Sequence, residues 1–223
     1  MSRNPNMAEE SWGVSQTLRD GSGFLFCFKK HSACTTQTES ISNMMIGTMV
    51  DVLTWSDMIH VEVVPVERYI PETQEITASE YSYTAFMTTG FVRQDSDLCC
   101  NSRLFTYLYL PLDKHTTHRG TLFLESLVGT RYNKAGMWSA FWHQFIGSKT
   151  IELPMHFNRK PVFCSEAGLM VCYIVGAYTG PELPQHCTPK YLYNILVDCH
   201  AKYIPSLMVA CPDFDQDVVT NAA

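Results

Sequence analysis

The sequence predicts an α+β fold in which a small antiparallel sheet packs against a central helix that begins with a cysteine. Three observations predict it. Short runs in the first half alternate apolar and polar residues with period two, as strands with one buried face do. The second half turns to apolar residues at helical spacing, in segments that close on glycine. Within that half, "KPVFCSEAGLMVCYIVG" (160–176) is apolar on nearly every face after Cys164, which marks an enclosed helix.

The elements follow in order. "GFLFCFKK" (23–30) alternates around aromatics and reads as a strand. "SISNMMIGTMVDVLTW" (40–55) has Ser and Asn near its start, then Met44, Ile46, Met49, Val50 and Leu53 at helical spacing. "MIHVEVVPVERYI" (58–70) is a β-branched, alternating strand, and Pro65 points to an edge or a bulge. "PETQEITASE" reads as a polar connection, "YSYTAFMTTGFV" (81–92) as the returning strand of a hairpin, and "SRLFTYLYLPL" (102–112) as another strand.

Helices follow. "TTHRGTLFLESLVG" (116–129) carries Leu124, Leu127 and Val128 and ends on Gly129, and its "HTTH" (115–118) belongs to the helix start. "KAGMWSAFWHQFIG" (134–147) sets Trp138, Phe141, Trp142 and Phe145 at helical spacing, as core or as the wall of an acyl pocket. "CTPKYLYNILVDC" opens with Thr188 as N-cap and Pro189 at the first helical position, with Leu192, Ile195 and Leu196 facing inward. No repeat or low-complexity linker divides the chain. The expected organisation is a flexible segment over 1–20, one domain over 21–205 and an acidic tail over 206–223.

Composition narrows the function classes. With 46% hydrophobic and 17% charged residues, the 223-residue chain is that of a folded globular protein. A net charge of -6 and the lack of a Lys/Arg run argue against nucleic acid as a partner. The opening "MSRNPNMAEES" does not read as a secretory signal, and the longest apolar run, Ala167 to Tyr178, is too short to span a bilayer. Nine cysteines, an odd number without paired CxxC spacing, read as reduced thiols in a reducing intracellular compartment, the cytoplasm. Cys27 with His31 and Cys34, His115 with His118, and Cys187 with Cys199 and their neighbours His186 and His200 are the possible metal groupings. None has a zinc-site spacing, so neither a metal nor a cofactor is expected. Cys99 and Cys100 fall between two strands, and a vicinal redox role is not expected of them.

Chemistry centres on Cys164. A thiolate attacks carbonyls and a thiol barely does, and a free cysteine titrates near pKa ~8.5. A helix N-terminus offers roughly half a positive charge and unpaired N–H groups, which favour the thiolate and also suit the oxyanion of a tetrahedral intermediate. The alternative is a small buried hydrophobe, the usual fate of a free cysteine. A general base is needed, and of the eight histidines His60 lies inside the most strand-like segment of the N-terminal half. In "MIHVEVV" it shares a face with Glu62 and Val64, while Ile59, Val61 and Val63 point the other way. A half-exposed strand histidine without a duty is the competing reading.

A "SDMIHVEVV" strand, a "LVGTRYNKAG" turn, the "VFCSEAG" helix start and the "TPKYLYNIL" helix start occur in that order. From about Gly21 to Leu196 the arrangement resembles the circularly permuted clade of NlpC-type papain-like cysteine hydrolases. Lecithin:retinol acyltransferase and the related phospholipase/acyltransferases are similar in arrangement. The resemblance implies a permuted papain-like fold with Cys164 as nucleophile and His60 as its base. It also implies a protein, peptide or lipid acyl substrate. Large DNA viruses carry members of this clade, so a viral source and the host cytoplasm are within what it implies.

Two positions depart from that family. Glu62 stands where a glycine is usual, two places after the histidine. The strand that supplies a third polar residue is here "YSYTAFMTT", which has no carboxylate; Thr84 is the positional match. Glu62 is the substitute, although strand residues i and i+2 are roughly 7 Å apart. The expected reaction is therefore amide, ester or thioester cleavage through an acyl-enzyme, as an amidase or peptidase. A lipid-directed hydrolase or acyltransferase, and an inactive binding or scaffolding protein on the same fold, are the alternatives.

Overall fold

The computed structural model describes residues 21–30, 57–73, 75–100, 104–146, 161–204 and 209–210. The helix expected over 40–55, the segment 1–20 and all of the expected tail over 206–223 except Val209–Ala210 lie outside them; those two residues form a strand of the sheet rather than part of a free tail. Within them the chain is α+β, with an eight-stranded sheet in which β5-β4-β2-β1-β6-β7 lie side by side. The sheet is larger than the sequence suggests, and all its pairings are antiparallel except β3 with β8.

Strand β1 (Ser22–Lys30) lies between β2 (Met58–Ile70) and β6 (Phe105–Leu112) and is buried on both faces as far as Phe28. Phe24, Phe26 and Phe28 enter one core with the helices, while Leu25 and Cys27 enter a second core on the opposite face. This explains the continuous apolar run, since a strand covered on both sides loses the polar half of its alternation. The β1–β2 register sets Lys29 beside His60 and Cys27 beside Glu62.

Pro65 does not mark an edge. It sits in an interior strand, opposite Phe24 of β1. Its carbonyl accepts from Ser79 N–H at 2.8 Å, and its nitrogen faces the same side. On that side the ladder changes partner, from β4 at Val63 to β3 at Val66, with a register shift between Val66 and Arg68. The missing donor therefore falls in a break between partners.

Two expectations need correction here. The polar connection after β2 contains strand β3 (Glu75–Ala78), whose Ile76 and Ala78 are buried while Glu75 is exposed. It pairs in parallel with β8 (Val209–Ala210). The stretch 81–92 is two strands, β4 (Tyr81–Phe86) and β5 (Gly90–Asp95), forming their own hairpin. Gly90 closes that turn with φ +81°, a conformation glycine adopts without penalty.

A four-residue helix α1 (Asp97–Cys100) buries both of its cysteines between β5 and β6. Helix α2 (Lys114–Leu127) begins two residues earlier than expected because Asp113 caps it, accepting from Thr116 N–H at 2.9 Å. Helix α3 (Lys134–Ile146) follows. The cysteine helix α4 (Cys164–Ile174) is buried from Cys164 to Cys172, as its unbroken apolar sequence requires. Helix α5 (Pro189–Asp198) is capped by Thr188 and buries Leu192, Ile195 and Leu196. Its approach to α4 depends on Gly168, where an added Cβ would stand 2.6 Å from Leu192 Cδ2. Strand β7 (Lys202–Ile204) closes the described sheet beside β6. No helix among the described residues is long and apolar enough to cross a membrane.

Candidate active site

Cys164 is the first residue of α4, and Phe163 caps the helix in an extended conformation. The cap is reinforced from within the first turn. Glu166 Oε2 accepts from Phe163 N–H at 3.2 Å and from Asn133 Nδ2 at 3.1 Å, while Asn133 Oδ1 accepts from Gly136 N–H at 2.8 Å. Ser165 donates to the Cys187 carbonyl at 2.6 Å. These bonds tie the start of α4 to the start of α3 and to the segment before α5. The thiol is thereby held at a helix start whose first N–H groups have no intrahelical partners.

His60 comes from the beginning of β2, and the structure brings it to Cys164. The two side chains line the same cavity, and each is among the causes that shift the other's titration. Burial alone would raise the Cys164 thiol, but the His60 charge and hydrogen bond outweigh it, with the Val61 and Ser165 N–H groups helping, and the thiol is lowered. Burial would lower His60, yet the Cys164 charge and hydrogen bond, with Glu62, hold it above the ordinary imidazole range. Each group is shifted toward its charged form by the other, the direction in which a cysteine–histidine pair favours thiolate and imidazolium.

The far nitrogen of the ring has two neighbours. Thr84 Oγ1 lies 2.9 Å from His60 Nε2 and also donates to the Val61 carbonyl at 2.9 Å. A hydroxyl has one proton, and here it goes to the carbonyl; the oxygen can then only accept from His60. Nε2 therefore carries hydrogen, and Nδ1 is the nitrogen left for the thiol. Glu62 Oε1 is 3.9 Å from the same Nε2, closer than the strand spacing of i and i+2 suggests. Backbone spacing sets Cα positions, whereas a glutamate and an imidazole on one face lean toward each other. Glu62 is only 4% exposed, and its Oε2 accepts from Ser82 Oγ and Gln94 Nε2, each at 2.9 Å. Phe86 stacks on the imidazole at 5.3 Å between centroids.

The pair opens on a cavity of about 170 Å³. Ile59, Phe86, Met137, Phe141 and Phe163 give it an apolar wall, and Lys29, Thr88 and Thr188 add polar groups. Of the aromatic residues on α3, Phe141 lines it, Trp138 is exposed, and the side chains of Trp142 and Phe145 lie outside the description. Tyr132 also lines it, and its hydroxyl donates to Met137 Sδ at 3.2 Å, a weak acceptor.

Sequence reasoning picked out Cys164, His60, Thr84 and Glu62, and the structure places all four together. It missed Ser82 and Gln94, which anchor Glu62, and Lys29, which the register sets against His60. Ser82 and Gln94 carry a faint signal, since both lie on the face of β4 and β5 that alternation assigns to Thr84. The other candidate ligands do not assemble. His115 and His118 sit at the exposed start of α2, Cys187 is buried beneath Ser165, and Cys199 ends α5. His31 and Cys34 lie outside the described residues.

No protein-family model matches the chain, and neither a curated protein nor a solved structure is significantly similar to it.

Proposed function

We propose that the protein is a cysteine hydrolase or acyltransferase on a permuted papain-like scaffold, working through a covalent acyl-enzyme. One observation carries the reading: Cys164 and His60 meet at a helix start, each pushed toward its charged form, at the mouth of a cavity. Structural ion pairs rarely involve a cysteine, because burial ordinarily keeps the thiol neutral.

In this reading the Cys164 thiolate attacks an amide, ester or thioester carbonyl and forms a C–S bond. The carbonyl oxygen takes the negative charge, and the Cys164 N–H is placed to donate to it. The Tyr132 hydroxyl, which donates to the weak Met137 thioether acceptor, lines the same cavity and is the second donor in this reading. Collapse of the intermediate breaks the bond to the leaving group, which takes its proton from His60. Thr84 accepts from Nε2–H and so fixes the ring's orientation, and Glu62 offsets the imidazolium charge. Water, activated by the neutral imidazole, then releases the acyl group; an alcohol or amine in its place makes the protein a transferase.

A second reading concerns the substrate. The apolar wall formed by Ile59, Phe86, Met137, Phe141 and Phe163 favours a fatty-acyl chain over a polar peptide. Activity-based profiling with fatty-acyl, peptide and ubiquitin-like probes, each against Cys164→Ala, tests both readings together. The expected result is Cys164-dependent labelling, strongest with the fatty-acyl probe. Labelling confined to the peptide or ubiquitin-like probes overturns the lipid reading alone. Labelling that survives Cys164→Ala overturns the catalytic one.

A further inference from the structure

The opposite face of the sheet holds a second cysteine group that the proposed chemistry does not use. Cys27 of β1 and Cys99 and Cys100 of α1 come together with their sulfurs all within 4.8 Å of one another. All three are fully buried. Sequence spacing groups Cys27 with His31 and Cys34; the fold instead brings it to a dicysteine 72 positions away. Two devices hold the dicysteine in place. Tyr107, itself buried, donates to the Cys99 and Cys100 carbonyls at 2.7 and 3.2 Å, and the Cys99 thiol leans on the Ser96 carbonyl at 3.3 Å. The residue paired with Cys27 on β2 is the buried Glu62, whose Oε2 is taken by Ser82 and Gln94.

We propose that Cys27, Cys99 and Cys100 form a three-thiolate site for a thiophilic closed-shell cation, zinc(II) or copper(I). Three sulfurs bound to one such ion stand about 4 Å apart, so the observed spacing closes on a metal with only side-chain rotation. Soft thiolates select these ions over magnesium or calcium. Copper(I) is satisfied by these three sulfurs, whereas zinc(II) takes a fourth donor from outside the cluster. On binding, each S–H bond breaks as an S–metal bond forms, three protons pass to solvent and no electron is transferred. Without a metal, burial and the hydrogen bond with Cys100 keep the Cys27 thiol neutral. The ligands lie on distant parts of the chain, so the ion also ties β1 to α1 and stabilises the folded state.

The test uses the full-length chain, reduced with a phosphine and kept under argon. Zinc(II) and copper(I) are titrated separately against chromophoric chelators, both into native protein and during refolding. The expected result is one equivalent of one of the two ions, with three protons released per ion, a higher melting temperature and unchanged binding in Cys164→Ala. The Cys99→Ser/Cys100→Ser double variant loses that equivalent. Should the double variant not fold, alkylation of the metal-loaded wild type with mass-spectrometric mapping replaces it, with Cys27, Cys99 and Cys100 the protected thiols. Failure of both ions to bind, protection of a different set of thiols, loss of binding in Cys164→Ala or its survival in the double variant overturns the proposal.

Discussion

Helix α4 carries a buried cysteine near each end, and the two thiols are shifted in opposite directions. Cys172, near the C-terminal end, is pushed up by burial and then by the charge of Cys199. Cys164 feels the same burial, yet it is pulled below the ordinary thiol range. The two share a helix, a core and a chemistry, so burial does not separate them. What differs is the company: an imidazole and two directed N–H groups at one end, another thiol at the other. Partner, not burial, decides which of the two thiols is lowered.

The largest effects come from removing one half of the pair. Cys164→Ala abolishes acyl-enzyme formation, read as loss of covalent probe labelling by mass spectrometry. His60→Ala lowers turnover by about 10³-fold or more, through loss of the general base and of the imidazolium. Its pH signature is more telling. His60 lowers the Cys164 thiol and Cys164 raises the His60 imidazole, so the pair extends the thiolate to lower pH and the imidazolium to higher pH than either group reaches alone. Iodoacetamide should therefore alkylate Cys164 well below about pH 8.5, where Cys172 is inert. In His60→Ala the profile should move up to the ordinary thiol range or beyond, since burial then acts unopposed. If Cys164 alkylates no faster than the other thiols in wild type, the contrast between the helix ends collapses.

Intermediate effects sharpen the contrast by weakening the imidazole's support. Thr84→Val removes the acceptor for Nε2–H, and a lost hydrogen bond to a charged donor costs about 1.5–3 kcal/mol, or roughly 10- to 150-fold in kcat/KM. Thr84→Ser should recover most of it. Glu62→Gln keeps hydrogen-bonding atoms for Ser82 while removing the charge that helps raise His60. The imidazolium then loses its proton at lower pH, so the alkaline limb of the rate profile moves down. An unmoved limb would show that Glu62 only braces the strand.

Much of this was legible in the sequence, for physical reasons that differ by element. The strand alternation of β1 and β2, the Thr188–Pro189 start of α5 and the apolar run of α4 are local signals that packing reinforces. Strand β3 was hidden because it offers only Ile76 and Ala78 to a core, and β5 because its hairpin turn, "MTTG", sits inside an otherwise continuous β-like stretch. At the site, Cys164 and His60 were legible as residue types at suitable positions. The hold of Ser82 and Gln94 on Glu62 was not, because it depends on three strands coming into register. The convergence of Cys27 with Cys99 and Cys100 was hidden for the same reason.

The smallest effect is expected at the other end of α4, and it is the control that gives the rest meaning. Cys172→Ala deletes one buried sulfur from the core shared by α4 and the sheet, leaving a small cavity. A cost of about 1 kcal/mol lowers the melting temperature by roughly 2–4 °C for a chain of this size. The pH profile of Cys164 alkylation should not move, because the two residues lie about 12 Å apart along the helix and share no hydrogen bond. If the profile shifts with Cys172→Ala, the lowered thiol is a property of the helix and its core rather than of His60. The case for a paired nucleophile then loses its basis, even with the imidazole in place.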